Sequence, residues 1–419
     1  MKSSVFRFYL AFSGLLLLFY LAFASCFALL STWVGNVVHF DQQQTGTIFT
    51  IIAAIAFFIA PLFGVLQDHL GTSKRLLMWL GAGLVLCSPI MGYLFVFVAQ
   101  YSTLVASVVL AVYLGTVLVG GIGAVESYCE RASRHIGFEY GSARLWGSLG
   151  YALAVSSNGF FLRLNPQIAC YITSATGILF LLILAFLDTR QLQPDQERRY
   201  AESTNSLKQS LGLFSIPRFW LLTLFLFAAS GGFMLFDQQF PVFFSNLFRS
   251  KSDGEAVVGI VLAVQLCCDA SVLLVMPWVI NRIGARNGLL LAGFIMATRI
   301  FLSGCVTTLF PGADQSTMRI AMAGGDKLLQ AVDVPMLIVS TFKYIAPSFD
   351  SRYTSTVYLV SFQCSQQVCA VLLSWPMGFC YKSLGFEATY LIMAIFIAGM
   401  TVQAIFTLPK IDSAQPQKG

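Results

Sequence analysis

The chain has 419 residues, of which 57% are hydrophobic and only 11% charged, and its mean hydropathy is +0.77. A water-soluble domain carries about 25% charged residues, so this composition excludes a soluble enzyme or binding module and calls for bilayer-length apolar segments. The net charge of +6 is assigned to loops facing anionic lipid rather than to a nucleic-acid surface.

A helix needs about 20 apolar residues to cross the hydrocarbon. Apolar runs at 8–33, 45–66, 76–99, 104–128, 143–163 and 168–187 predict six such helices. Six more follow at 219–247, 256–280, 288–310, 319–340, 354–379 and 385–408. The first run is too long for a signal-peptide core. Ala24-Ser25-Cys26 is similar to a lipoprotein cleavage site, but the eleven further runs argue against that reading. The longest polar gap, 188–217, holds Asp195, Glu197, Arg198 and Arg199 and reads as a flexible cytoplasmic linker. It divides the chain into a six-helix bundle at 1–187 and a second at 218–419. The ten Cys are scattered, with neither disulfide nor zinc spacing, and read as small packing residues.

Lys and Arg set the orientation. Lys74, Arg75, Arg131, Arg134, Arg190, Arg218, Arg282, Arg286, Lys343 and Arg352 fall in alternate loops. The opposite loops hold Arg163, Arg249, Lys251, Arg319 and Lys382. Both termini are therefore expected in the cytoplasm. The halves echo each other: Gly64 to Arg75 follows the second run, and Asn281-Arg-Ile-Gly284-Ala-Arg286 follows the eighth. The first of these loops resembles the signature loop of the major facilitator superfamily, whose two halves rock around a central site.

Ionisable residues at membrane depth are costly unless paired or hydrated, which makes them functional candidates. Glu126, Arg144, Asp237, Asp269, Arg299, Asp326, Lys327 and Asp333 are such residues. Acids outnumber bases, so at least one carboxyl is expected to hold and release a proton near neutral pH. No nucleophile–base pair, metal spacing or phosphate loop is present, so neither enzyme chemistry nor a cofactor or metal is expected. Gly120-Gly121-Ile-Gly123 lies in an apolar run and reads as close helix packing.

Phe138-Glu139-Tyr140-Gly141-Ser142-Ala143-Arg144-Leu145-Trp146-Gly147, Phe236-Asp237-Gln238-Gln239-Phe240, Val334-Pro335 and Phe342-Lys343-Tyr344 occur in that order along the chain. Together they resemble the oligosaccharide:proton symporters, the lactose and sucrose permease family of the major facilitator superfamily. The resemblance implies an all-α membrane protein of twelve helices in two six-helix pseudo-repeats. It also implies a small sugar and protons as partners, in the lipid of a bacterial inner membrane, with a monomer expected.

Within that resemblance Glu126 and Arg144 match the sugar-site carboxylate and guanidinium. Such a pair suits hydroxyls: the Arg fork donates to two and the carboxylate accepts from others. A structural ion pair is the plainer alternative. Tyr151 stands where an aromatic could stack on a sugar face, and with Gln265 and Asp269 it is similar to the sucrose branch. Asp237 and Lys327 match a charge pair. Met234 and Gln366 replace a second pair. Arg299, Gln330 and Asp333 fall where the family has its Arg, His and Glu coupling group. Gln330 cannot titrate, so Asp333 with Arg299 is the expected proton carrier and Asp326, seven residues earlier, the rival. Sugar facilitation without tight coupling, a galactoside substrate, and a sensor on the same scaffold stay open as alternatives.

Overall fold

The computed structural model describes residues 3–70, 73–187, 214–312, 316–349 and 357–409, and every regular element among them is helical. The expected linker therefore lies outside the described residues as far as residue 213, as do Arg190, Arg198, Arg199 and Arg352.

The first expected span is α1, Ser3–Phe27. It does not run on to Trp33: the chain breaks and resumes as α2, Leu30–Val38, which ends at His39 with φ 58°. Helix α3 covers Gln42–Leu70. Its start is fixed by a capping box, in which Gln44 N–H donates to Asp41 Oδ1 (2.9 Å) and Asp41 N–H to Gln44 Oε1 (2.9 Å). The third span is bent by 41° between α4, Arg75–Val85, and α5, Ser88–Ala99. The bend coincides with Pro89 at the start of a π-helical stretch, where a missing N–H loosens the helix ladder.

The fourth span comprises α6, Thr103–Tyr113, a π-helical segment Leu114–Val119, and α7, Gly120–Ile136. It extends well beyond the apolar run 104–128, so Glu126 lies inside a helix and not at its end. Helices α8, Tyr140–Leu164, and α9, Ile168–Phe186, complete the first six. Then come α10, Pro217–Asn246, α11, Lys251–Ile283, α12, Ala285–Gly304, the short α13, Val306–Leu309, and α14, Ser316–Ser348. A π-helical turn, Leu359–Cys364, leads into α15, Ser365–Leu384, and α16 is Phe386–Thr407.

Among the described residues nine helices are long and apolar enough to cross a membrane, and the bent α4–α5 pair makes a tenth. Helices α8 and α15 are more polar: α8 carries Arg144, Ser148 and Asn158, and α15 opens with Ser365-Gln366-Gln367. Phe186, Leu274 and Phe406 are more than four-fifths exposed, as side chains meant for lipid should be. Gly284 and Gly385, at φ 85° and 86°, make the reversals into α12 and α16, a backbone region that side chains with Cβ resist.

Two compact units emerge. The first holds Met1–Glu197 together with Gln238–Ala263 and Val371–Lys382; the second holds Arg198–Asp237, Val264–Ala370 and Ser383–Gly419. In the first, α8 lies directly on α1. A Cβ at Gly150 would run into the Leu17 carbonyl, so only glycine permits that approach. Asn158 Nδ2 donates to the carbonyls of Ala24 (3.2 Å) and Ser25 (2.7 Å); bonds of this kind between membrane helices are worth about 0.6 kcal/mol each.

At one end of this unit α2, α8, α11 and α15 are tied by polar side chains. Asn36 accepts from Lys251 Nζ (3.0 Å) and donates to buried Glu255 (2.7 Å), Arg163 meets Asp253 (3.2 Å), and Lys382 meets Asp41 (2.8 Å). In the second unit α12 packs between α14 and α16. The units repeat one device. Lys74, before α4, donates to the carbonyls of Leu184 (2.7 Å) and Leu187 (3.1 Å) at the end of α9. Arg286, at the start of α12, donates to those of Leu408 (2.7 Å) and Ile405 at the end of α16. In each half a basic side chain satisfies the orphan carbonyls of the sixth span.

Candidate functional site

Helices α1, α7 and α8 bring three polar side chains together in the first unit. Arg144 Nε donates to Glu126 Oε1 at 2.5 Å, and its Nη2 donates to the Tyr20 hydroxyl at 2.9 Å. That hydroxyl in turn donates to the same Glu126 oxygen at 2.5 Å. The guanidinium lies 4.1 Å from the centre of the Tyr20 ring, and Nη1 reaches Ser148 Oγ at 3.3 Å. Gly147 makes room: a Cβ there would press on Tyr20 and on the guanidinium. The Glu126 and Arg144 side chains each keep 32% of their surface exposed, so donors and acceptors remain open to a ligand.

Tyr151, two turns along α8 from Arg144, packs beside Phe23 at a ring separation of 6.2 Å, and Phe23 touches Tyr20 at 6.5 Å. Ala24, Ala154 and Val155 back it. The sequence reading missed Tyr20. A hydroxyl in the run Leu15–Ala24 needs a partner at membrane depth, and that requirement was the available signal.

The second unit gathers six ionisable side chains. Lys327 Nζ lies 2.5 Å from Asp237 Oδ1. Gln330 joins them, accepting from Lys327 (2.7 Å) and donating to Asp237 Oδ2 (2.7 Å). It hydrogen-bonds neither Arg299 nor Asp333, so the group Arg299, Gln330 and Asp333 does not form one contact set. Arg299 instead donates from Nε to Asp333 Oδ2 at 2.6 Å, with both side chains fully buried. Its Nη1 and Nη2 are buried without a partner among the described residues.

Asp326 accepts from Ser303 Oγ. Ser303, one turn after Arg299, is a second residue the sequence reading passed over. Gln265 and Asp269 lie on α11. Asp269 Oδ1 is buried without a hydrogen-bond partner among the described residues, within electrostatic reach of Asp333 and Lys327.

Comparison with known proteins identifies the family. Residues 2–416 match the family described as LacY proton/sugar symporter. The chain is 34% identical to the raffinose permease of Escherichia coli over 394 residues, covering 93% of this chain and 90% of that one. It is 35% identical to the lactose permease of Citrobacter freundii over 379 residues (90% and 88%), and 29% identical to the sucrose permease of Escherichia coli over 395 residues (94% and 92%). Among solved structures it resembles the nucleoside transporter NupG, with a TM-score of 0.76 at 15% identity over 96% of this chain and 100% of that one. It also resembles a D-xylose–proton symporter, with a TM-score of 0.69 at 16% identity (97% and 98%). These two share the fold of the major facilitator superfamily. Not an enzyme but a multi-span transporter of the bacterial inner membrane, the chain belongs to the LacY proton/sugar symporter family.

Proposed function

We propose that the chain imports a disaccharide or small oligosaccharide with a proton, by alternating access, as a monomer with both termini in the cytoplasm. The bundles 1–187 and 218–419 are the parts that rock, joined by 188–217. The observation that carries this reading is the half-open trio of Tyr20, Glu126 and Arg144 beside the rings of Phe23 and Tyr151. Sugar hydroxyls would exchange with its internal bonds, the guanidinium donating and the carboxylate accepting. A ring face would take the sugar C–H surface. Gln265 and Asp269 are further sugar-binding candidates on their resemblance to the sucrose branch.

A sucrose-like glycoside is the favoured cargo, because Tyr151, Gln265, Asp269, Met234 and Gln366 resemble the sucrose branch. A raffinose- or melibiose-type substrate is the second reading, favoured by 34% identity to permeases of those names. Raffinose contains a sucrose unit, so one pocket could serve both. The test is uptake of a labelled sugar panel by whole cells with and without a protonophore. Accumulation that collapses with the gradient supports symport. Equilibration that never exceeds the outside concentration, for every sugar, replaces it with facilitation, which the untitratable Gln330 motivates.

A further inference from the structure

We propose that Asp326 carries the coupled proton, and that Arg299, poised between Asp326 and Asp333, is the group that drives it off. This rests on the proton-symport reading above and reverses the expectation that Asp333 is the carrier.

The argument is one of charge balance in a dry place. Among its described residues the second unit has two buried cations, and each is already engaged by an acid: Lys327 by Asp237 at 2.5 Å and Arg299 by Asp333 at 2.6 Å. Two acids are left, Asp269 and Asp326. Asp269 is only partly buried, although its Oδ1 too lacks a hydrogen-bond partner among the described residues. Asp326 is 3% exposed. Its hydrogen bond is with the Ser303 hydroxyl, and its Oδ1 is buried with no partner among the described residues. A carboxylate held there would have no hydrogen-bonded counter-ion, whereas a carboxylic acid needs none. Asp326 is thus the more deeply buried of the two acids left without a counter-ion, and the one with more to lose by ionising.

Release needs a cation to arrive, and the geometry supplies one. Helices α12 and α14 pack with Arg299 opposite Asp333 and Ser303 opposite Asp326. Arg299 and Ser303 are one turn apart, and the two aspartates two turns apart on one face. The charged groups in electrostatic reach of Asp326 are Arg299 on α12, with Lys327 and Asp333 on α14. Arg299 commits only Nε to Asp333, while Nη1 and Nη2 are buried with no hydrogen-bond partner among the described residues and the guanidinium lies 5.0 Å from the centre of the Phe236 ring. Turning that fork toward Asp326 offers two donors to its carboxylate while Nε stays with Asp333. Once alternating access has admitted water, the O–H bond of Asp326 breaks and its proton forms an O–H bond on a water molecule, leaving hydronium and the Asp326 carboxylate. Reloading is the reverse.

Asp326→Asn preserves shape and the bond to Ser303 but holds no exchangeable proton. In energised cells it should lose accumulation and sugar-driven proton uptake, while equilibrium exchange in de-energised vesicles stays within about twofold of wild type. Asp326→Glu, which restores a carboxyl, should recover accumulation. Infrared spectra of the detergent-purified protein give a readout that needs no transport. The wild type should show the carbonyl stretch of a protonated acid, with one component missing in Asp326→Asn and present in Asp333→Asn.

Wild-type-like accumulation by Asp326→Asn overturns the proposal, as does a protonated-acid band that this variant leaves unchanged. If the wild type accumulates no sugar at all, the symport reading fails. The infrared component then decides separately whether Asp326 bears the proton.

Discussion

Removing Asp237 should cost more than removing Asp237 and Lys327 together, and the structure allows the size of the difference to be worked out. Lys327 is 1% exposed, whereas the Asp237 side chain keeps 35% of its surface. Taking one partner from a buried pair costs about 3–5 kcal/mol. Asp237→Ala takes the counter-charge from the more buried member, so it falls in that range before compensation. Gln330 Oε1 remains 2.7 Å from Nζ, and a hydrogen bond to a charged group returns about 1.5 kcal/mol. The net loss is then roughly 1.5–3.5 kcal/mol by the same figures. Lys327→Ala leaves a partly hydrated carboxylate still bonded by Gln330 Nε2, so it should be the milder single change, at about 1–2 kcal/mol. The double variant leaves neither charge behind, and the coupling energy should be at least about 1.5 kcal/mol. Thermal unfolding of detergent-purified protein by tryptophan fluorescence, at one scan rate, measures the four corners of the cycle. Additive losses, or a double variant worse than Asp237→Ala, would refute the reasoning.

Arg144→Lys keeps the charge but loses the fork that spans Glu126 and Tyr20, so sugar affinity should drop by about tenfold, or 1.4 kcal/mol. Tyr20→Phe should cost about 1 kcal/mol by losing the bridging hydroxyl. Isothermal titration with the transported sugar checks both, and unchanged affinity would remove the trio from the binding site. Gly150→Val forces a side chain against the Leu17 carbonyl and should lower stability by about 1–3 kcal/mol, read as a fall in unfolding temperature. For Asp41, partial burial raises the carboxyl pKa, but Lys382 and the Gln44 N–H outweigh it and hold it below the usual range. The cap therefore contributes fully above the unfolded value near 3.9 and fades as pH falls through the lower folded value. Asp41→Ala should destabilise by about 1 kcal/mol at neutral pH, and its gap from wild type should close only below about pH 4. A gap that closes between pH 5 and 7 would contradict the cap.

Much of the fold is legible in the sequence because bilayer thickness sets one length scale for every span. What the runs hide is where the ladder breaks. The chain from Phe8 to Trp33 stays apolar across the turn at Ala28 and Leu29, and hydropathy is blind to it. Conversely α7 runs to Ile136 although apolarity fades after Tyr128, since one face of that helix is amphipathic.

At the site, Arg144 and Glu126 stand out because charge at membrane depth is rare. Tyr20 does not, because an aromatic in a helix rich in Phe reads as packing until its hydroxyl finds two partners. Gln330 reads as a lost titrating group, whereas its geometry shows a neutral clasp on Asp237 and Lys327. A list of residue types carries no information on which partner an amide chooses.

The polar ties of Asn36, Arg163, Asp253, Glu255, Lys251, Asp41 and Lys382 have a kinetic side. Taken singly, the exposed ion pairs are each worth less than about 1 kcal/mol and can trade places with water, whereas Glu255 is buried. Beneath them a Cβ at Gly159 would strike the Glu255 carbonyl, and one at Gly259 the Val155 carbonyl, so backbone rests on backbone with no side chain to act as a spacer. Wetting this seam therefore cannot proceed one residue at a time: the links must part together before water gains the space between the strands of backbone. The seam behaves as a fastener with a threshold, whose rate of parting should rise with ionic strength as its charged members are screened.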